Sequence, residues 1–140
     1  MAAPSPKAVV MAASDEFDGS LEGIDRYLEY FAETATWEFS PTAENPTWVR
    51  IEGKEAARTL YKQIYDRVRD GVSTVHDILE DDDRVALAGT WESTTTVQVS
   101  DIPAGTRRRH DFVTLFRVSD GLIVRAAQYG VTPQVVNQMR

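Results

Sequence analysis

The segment between Gly105 and Gly130 constrains the fold more than any other part of the chain. It consists of two runs rich in β-branched and aromatic residues, separated by Ser119-Asp120-Gly121. An Asp-Gly pair between two such runs is the strongest short-range signal for a β-hairpin, because both residues tolerate the backbone angles of a tight turn. We interpret the rest of the chain as elements that pair with this long hairpin or cover its concave face.

Alternation along the first arm of the hairpin assigns its side chains to two faces. The pattern predicts an inner face with His110, Phe112, Thr114 and Phe116, and an outer face with Asp111, Val113 and Leu115. A β-bulge near His110 would exchange it for Asp111 on the inner face. The assignment of His110 to the interior therefore depends on a regular strand.

The size and charge of the chain exclude several classes of function. Its 140 residues predict a single domain over 1–140, with a frayed start at 1–5. The net charge of −7 argues against binding to nucleic acid or to anionic membranes. The absence of cysteine excludes disulfides and thiol nucleophiles. The apolar run at residues 8–13 is too short for a signal peptide or a membrane span, so we expect a cytoplasmic protein.

Capping residues and apolar spacing predict three helices in the first half of the chain. The first starts at Ser5-Pro6, the second runs from about 20 to 32, and the third follows Gly53 to about residue 70. The inward face of the third helix is predicted to carry Ala57, Leu60, Ile64 and Val68, with Tyr61 and Tyr65 partly exposed. This face of the third helix is predicted only from the spacing of its apolar residues.

Strands dominate the second half of the chain. We predict strands at 34–39, 48–51, 73–80 and 84–100, in addition to the hairpin, and a short C-terminal helix from Thr132-Pro133. Early helices followed by a largely antiparallel sheet predict an α+β fold with the helices on one face of a curved sheet.

Several local motifs together resemble the NTF2-like superfamily, in particular its SnoaL-like branch. The motifs are Asp18-Gly19-Ser20, Phe31–Trp37, Ile51–Ala56 and the hairpin at Phe116–Ile123. The resemblance covers about residues 6–138. It implies a cone, in which a curved mixed or antiparallel sheet wraps around three N-terminal helices and encloses an apolar pocket, and it implies a homodimer through the outer sheet face. This fold hosts isomerases, dehydratases, cyclases, epoxide hydrolases and binding modules, so it does not define the activity.

The acidic residues of several family mechanisms are missing here. The ketosteroid-isomerase-like pattern places its base where this chain has Phe39, and its acidic oxyanion donor where it has Thr114. The charged set of the limonene-epoxide-hydrolase-like pattern falls on Gly89, Trp91 and Gln128. The SnoaL-like cyclases carry an Asp near the end of the last strand, where this chain reads Tyr129-Gly130-Val131. These mechanisms are disfavoured.

Two histidines, His76 and His110, remain as acid/base candidates near neutral pH. Alternation in a regular strand places His76 on the same face as Ile78. The chain is similar to the scytalone-dehydratase-like branch, which carries a pocket histidine in the strand after the third helix. That branch also has a Tyr-Asp pair where this chain has Phe17-Asp18. The resemblance implies a catalytic set of His76, His110 and Asp18, with the carboxylate orienting an imidazole.

Aromatic and polar residues near these positions are predicted to line the pocket. They are Tyr27, Trp37, Phe39, Trp91, Phe112, Thr114 and Gln128. Aromatic residues at such spacings are also typical of ordinary core packing. We expect no metal and no cofactor, since Asp81-Asp82-Asp83 lacks the alternating ligands of a calcium loop and the family chemistry is metal-free.

The sequence leaves three functions open. The first is a cofactor-independent dehydratase, isomerase or cyclase that acts on a small apolar oxygenated molecule of polyketide, terpenoid or steroid type. The second is an NTF2-like module that binds a small molecule or a partner without chemistry. The third is an epoxide-opening or aldol-type enzyme that uses another acid set, such as Glu38, Asp111 or Glu92.

Overall fold

A computed structural model of the chain describes residues 4–136, which form an α+β cone. The helices are α1 (Pro6–Glu16), α2 (Leu21–Leu28) and α3 (Lys54–Tyr65). The strands are β1 (Phe31–Phe39), β2 (Val49–Glu52), β3 (Val68–Asp81), β4 (Arg84–Thr95), β5 (Arg107–Ser119), β6 (Leu122–Gly130) and β7 (Gln134–Val135). The strands form one curved, unclosed mixed sheet that wraps around the helices.

The first two helices begin where serine hydroxyls can satisfy free backbone N–H groups. Ser5 Oγ accepts a hydrogen bond from the Ala8 amide at 3.1 Å, and Ser20 Oγ accepts one from the Gly23 amide at 3.0 Å. Pro6 occupies the first turn of α1, where its missing N–H costs nothing. The predicted starts of α1 and α2 are confirmed for this reason.

The sheet is built around the β5–β6 hairpin. Its strand order is β2-β1-β6-β5-β4-β3, with β7 pairing β5 beyond the end of β6. The pair β1–β6 is parallel and the others are antiparallel. Asp120 and Gly121 have positive φ angles of 54° and 78°, as the predicted tight turn requires.

The two predicted faces of β5 are confirmed. Phe116 and Val118 are buried in the core, whereas Val113 and Leu115 are exposed. The pairing of β5 with β4 is regular along its length, so no bulge displaces His110 from the inner face. We call the concave side of the sheet the inner face and the convex side the outer face.

The core lies between the inner face and the helices. Its most deeply buried large side chains are Trp37, Phe31, Ile24, Ile123, Val10 and Val85. Phe31 and Trp37 stack with ring centroids 4.8 Å apart. This packing fixes β1 under the helices and leaves an open space at the start of β5 and the end of β6.

Several predicted boundaries and one predicted helix face differ from the structure, and the strand predicted at 84–100 ends at Thr95. The helix α2 ends at Leu28, because Phe31 is already buried in the strand β1. The helix α3 ends at Tyr65 instead of near residue 70, and β3 begins at Val68. The buried face of α3 carries Ala57 and Tyr61, so the helix is rotated relative to the predicted face.

The prediction of a C-terminal helix from Thr132-Pro133 is wrong for the described residues. Residues 134–135 form β7, which pairs with Arg108 and Arg109, and the Val136 amide donates to the Arg107 carbonyl at 2.9 Å. The backbone of β5 extends beyond the last residue of β6 and offers hydrogen bonds that only an extended segment can use. The rest of the predicted helix, residues 137–140, lies outside the described residues. Among the residues described, none of the helices is long and apolar enough to cross a membrane.

Candidate functional site

The open end of the cone contains a cavity with two adjoining chambers. The larger chamber has a volume of about 340 Å³ and the smaller one about 90 Å³. Both are lined by Tyr61, Tyr65, Trp91, His110 and Gln128. Since the chambers share these walls, we describe them as one site.

The cavity walls are predominantly apolar and aromatic. The larger chamber reaches Phe39, Val49, Leu60, Ile64 and Val68, and the smaller one reaches Phe17, Tyr27, Val75, Leu87, Phe112 and Phe116. Phe17 contacts Tyr27 and Tyr65 edge-to-face, with centroids 5.1 and 5.2 Å apart. Rigid aromatic walls of this kind suit a small, largely apolar molecule.

His110 lies on the inner face of β5 and lines both chambers. Its ring packs near Phe112, with centroids 5.9 Å apart, and against Gly130 on the neighbouring strand. The Nε2 atom is buried and has no hydrogen-bond partner among residues 4–136. A buried polar atom without a partner is uncommon in proteins and is costly.

The surroundings of His110 favour its neutral form. Burial lowers the pKa of the imidazole below its ordinary value of 6.5, and the positive charge of Arg108 adds to this effect. The carboxylates of Asp111 and Glu44 act in the opposite direction. The ring is therefore neutral at pH 7 and can accept a proton.

Three tyrosines supply protonated hydroxyl groups around the cavity. Burial raises the pKa of Tyr27, Tyr61 and Tyr65, so each phenol keeps its proton at neutral pH. Tyr61, predicted to be partly exposed, is buried, because α3 turns it towards Phe17 and Tyr27. A protonated phenol in an apolar wall can donate a hydrogen bond to a substrate oxygen.

Gln128 and Thr114 are opposite each other in the β5–β6 register and both line the cavity. Among the described residues, neither side chain has a hydrogen-bond partner. The amide group of Gln128 provides two N–H donors and the hydroxyl of Thr114 provides one. These groups can bind an oxygen atom on a molecule that lies over His110.

The lining of both chambers contains no carboxylate among the described residues. Glu38 forms ion pairs with Arg50 and Arg125 at 3.1 and 2.9 Å. Glu92 lies 3.5 Å from Arg107, and Asp111 lies on the outer face. The acids considered for an epoxide-opening or aldol-type enzyme therefore lie outside the cavity.

The prediction that His76 shares the inner face with Ile78 is wrong. A register shift between Val75 and Asp77 inserts one extra residue in β3 relative to β4. As a result, Val75 lines the smaller chamber and Ile78 packs against the core, while His76 is exposed on the outer face. The two imidazoles therefore lie on opposite sides of the sheet and cannot act on one substrate.

His76 belongs to a hydrogen-bonded group on the outer face. Its Nε2 lies 2.6 Å from Thr90 Oγ1, which donates a hydrogen bond of 2.8 Å to Asp111. Arg109 Nε donates to the same Asp111 oxygen at 2.9 Å. The hydrogen bond from Thr90 and the one from Arg109 lower the pKa of Asp111.

Asp18 does not orient either histidine. Its Oδ1 accepts hydrogen bonds from the Ser20 amide at 2.9 Å and from the Ser20 hydroxyl at 2.6 Å. These bonds lower the pKa of Asp18, and they organise the turn before α2. The carboxylate is exposed and is 3.9 Å from Arg26. Asp18 is a turn residue, and the predicted three-residue set is not assembled.

Most of the predicted lining residues do reach the cavity. They are Tyr27, Phe39, Trp91, Phe112, Thr114 and Gln128. Trp37 is the exception, because it is buried in the core beneath α3 and stacks on Phe31. The sequence reasoning missed Tyr61, Tyr65 and Arg108 as cavity residues. The signals available were the one-turn spacing of the two tyrosines and the two-residue spacing of Arg108 from His110.

The described residues hold no cluster of three or more His, Asp or Glu side chains that could bind a metal ion.

The chain belongs to the SnoaL-like domain family, whose signature matches residues 18–126. No curated protein matches the sequence. The chain is similar in structure to IdmH of Streptomyces antibioticus, named as a candidate polyketide cyclase, with 22% identity, a TM-score of 0.71, and 91% of this chain and 92% of that one covered. These similarities confirm the predicted NTF2-like cone of the SnoaL-like branch.

Two further solved structures share the fold. A candidate SnoaL-like polyketide cyclase from Jannaschia sp. CCS1 has 13% identity and a TM-score of 0.73, with 93% of this chain and 90% of that one covered. AclR of Streptomyces galilaeus, named as a candidate hydroxylase, has 19% identity and a TM-score of 0.70, with coverage of 89% and 77%. At these identities the likeness defines the fold alone.

Proposed function

We propose that this protein is a cofactor-independent acid/base enzyme that removes a proton next to a carbonyl group of a small, largely apolar, oxygenated substrate. A polyketide-, terpenoid- or steroid-like hydroxy-ketone is the class that suits the cavity. The observation that carries the proposal is His110, a neutral, buried imidazole without a partner in a cavity whose described lining has no carboxylate. Dehydration, double-bond isomerisation and cyclisation can each begin with this proton transfer.

Each polar group of the cavity has a role in this proposal. His110 accepts the proton, and the resulting imidazolium can return it to an oxygen or carbon atom of the product. The Gln128 amide and the Tyr61 hydroxyl donate hydrogen bonds to the enolate oxygen as its charge develops. The apolar walls exclude water and hold the substrate over the ring. The volume of the larger chamber suits a molecule of this kind.

The family match supports the choice of class. The solved structures with similar folds include two named as candidate polyketide cyclases and one named as a candidate hydroxylase. Cyclisation of a polyketide is an enolate reaction, which is consistent with a single base in an apolar pocket. Phe39 and Thr114 stand where the ketosteroid-isomerase-like pattern has acidic residues, and this absence favours the alternative of a binding module. Measurements of proton exchange can distinguish a binding module from an enzyme.

The experiment follows hydrogen–deuterium exchange of the α-protons of 2-tetralone in D₂O by ¹H NMR. We expect the protein to accelerate exchange saturably, and His110→Gln to lower this acceleration by about 10²- to 10⁴-fold. His76→Gln is the matched control, since His76 lies on the outer face. Exchange in His110→Gln within threefold of the unsubstituted protein contradicts the role of His110. Saturable binding without accelerated exchange favours the binding module.

We further infer that two copies of the chain associate through the outer face. An apolar row runs across the strands there, because Leu79 pairs with Ala86 and Ala86 pairs with Leu115. Leu79 and Leu115 are 65% and 46% exposed. Val113 and the opposite Tyr129 extend the row. We call Leu79, Val113, Leu115 and Tyr129 the outer apolar patch. A second copy would cover it with the same residues.

A further inference from the structure

Arg108 is a cation that points into the cavity. It lies two residues before His110 on β5, on the same inner face, and lines the larger chamber. Its side chain is only 13% exposed. The flanking arginines alternate to the other side of the strand, where Arg107 pairs with Glu92 and Arg109 pairs with Asp111. Arg109 also borders the larger chamber, but its side chain is 49% exposed and pairs with Asp111 on the outer face, so Arg108 is the buried arginine of the cavity.

The partner of Arg108 is Glu44, which comes from the loop between β1 and β2. Arg108 Nη1 donates a hydrogen bond to Glu44 Oε1. The Ala43 amide ties the loop to Thr132 Oγ1 at 2.9 Å, and a bond of 2.8 Å from the Thr42 amide to the Asn45 carbonyl closes a turn around Glu44. Glu44 is the more exposed member of the pair, with 31% of its side chain accessible.

This arrangement places a carboxylate-binding guanidinium beside the proposed base. The planar fork of arginine matches a carboxylate in two hydrogen bonds, and Glu44 already places one carboxylate there. Arg108 cannot remain unpaired without cost in a partly buried position, whereas Glu44 can turn from the loop into water. One carboxylate can therefore replace another without changing the charge of the site.

We propose that the substrate carries a carboxylate, which binds Arg108 in exchange for Glu44 at the edge of the larger chamber. This rests on the function proposed above and adds the substrate class. Residues two apart on a strand are separated by about 7 Å. A carboxylate on Arg108 thus places a carbonyl group a few bonds away over His110, as in an aromatic or alicyclic keto acid. Arg108 acts as the residue that determines specificity and position.

The test compares two probes that differ only in charge, 2-naphthoate and 2-naphthamide. Binding of each is measured by calorimetry and by quenching of tryptophan fluorescence, since Trp91 lines both chambers. We expect naphthoate to bind at least about tenfold more tightly than naphthamide, and Arg108→Met to abolish this preference while it leaves naphthamide binding intact. Retained naphthamide binding shows that the Arg108→Met cavity is folded.

Two further variants sharpen the result. Glu44→Gln removes the competing carboxylate, so naphthoate should bind several-fold more tightly, whereas the affinity for naphthamide should not change. Arg117→Met removes an equal charge from the outer side of the same strand, away from the cavity, and should preserve the preference. Equal binding of the two probes, or a preference that survives Arg108→Met, overturns the carboxylate assignment and leaves the proposed enzyme class standing. Binding of neither probe to the folded protein overturns both proposals.

Discussion

The imidazole of His110 occupies the space that a side chain at residue 130 would fill. A Cβ atom built on Gly130 lies 2.3 Å from His110 Nε2 and 3.0 Å from Cε1. Gly130 is the last residue of β6 and pairs with Phe112 on β5. The glycine therefore lets the histidine pack directly against the neighbouring backbone, which sets the position of the ring in the cavity wall.

Gly130→Ala should push the His110 ring out of place. We expect the free energy of unfolding to fall by about 1–3 kcal/mol, because a methyl group is forced into a filled space, and the 2-tetralone exchange rate to fall about tenfold. In a His110→Ala background the same substitution should cost less than half as much, since the clashing ring is absent. Chemical denaturation of the four proteins in this cycle measures the coupling. Equal costs in the two backgrounds would show that the contact carries no strain.

The activity should depend on pH through His110. Because burial lowers its pKa below 6.5, the ring is neutral above that lowered value. The exchange rate should rise with pH with a midpoint below pH 6.5, and His110→Gln should flatten this rise. The chain has two histidines, so His76→Gln assigns both ¹³Cε1 resonances in an NMR titration. A titration midpoint of His110 at or above 6.5 contradicts the prediction.

The same shift should appear in stability. Unfolded His110 takes up its proton at a higher pH than folded His110 does, so the folded state binds fewer protons. The free energy of unfolding should therefore decrease as the pH falls from about 6.5 through the lowered pKa. The decrease should be smaller in His110→Gln. Urea denaturation of both proteins across this pH range measures the difference.

Thr90 should stabilise the outer face through the hydrogen bonds of its hydroxyl with His76, Asp111 and Arg109. Thr90→Val leaves His76 and Asp111 without this partner, so we expect a loss of about 1 kcal/mol in the free energy of unfolding. The pKa of Asp111 should rise, because the bond from Thr90 is the main cause of its lowering. Carboxyl ¹³C NMR measures this pKa. The 2-tetralone exchange rate should not change, since Thr90 and the cavity are on opposite faces.

Thr36→Val is a suitable control for that substitution. Thr36 lies in β1, and its hydroxyl makes no hydrogen bond to another described residue. Thr36→Val replaces a hydroxyl by a methyl group in a strand, as Thr90→Val does. A loss of stability as large as that of Thr90→Val would indicate a general effect of valine and not the loss of the outer-face bonds.

Leu115→Glu should weaken the proposed dimer. A charge in the middle of the outer apolar patch would face its symmetry copy in the other protomer, so the dissociation constant should rise at least about tenfold. Met11→Glu on α1 is the matched control, because Met11 is 47% exposed but is not part of the patch. Light scattering coupled to size-exclusion chromatography measures the mass. A monomeric unsubstituted protein, or a dimer unaffected by Leu115→Glu, contradicts the inference.

The local pattern of the sequence determined the hairpin and the position of His110, the proposed base. The Asp120-Gly121 turn and the alternation through Phe112, Thr114 and Phe116 depend on neighbours within a few residues, and the structure confirms them. The same alternation places His110 on the inner face. The serine caps of α1 and α2 are equally local, since each bonds an amide three residues away.

Only the tertiary structure decided which polar residues meet. The bulge between Val75 and Asp77 moves His76 to the outer face, and it exists only in the pairing of β3 with β4. The rotation of α3 that buries Tyr61 depends on contacts with Phe17 and Tyr27. These features depend on how distant segments pack, which the spacing of residues along one segment does not encode.

The pairing of Arg108 with Glu44 has the same origin. The two residues are 64 positions apart, and no motif connects them. The sequence shows three consecutive arginines with nothing to distinguish them. Strand alternation only predicts that Arg108 lies on the opposite face of β5 from Arg107 and Arg109. The fold of the sheet around the helices decides that Arg108 faces a cavity and that a loop supplies the carboxylate of Glu44.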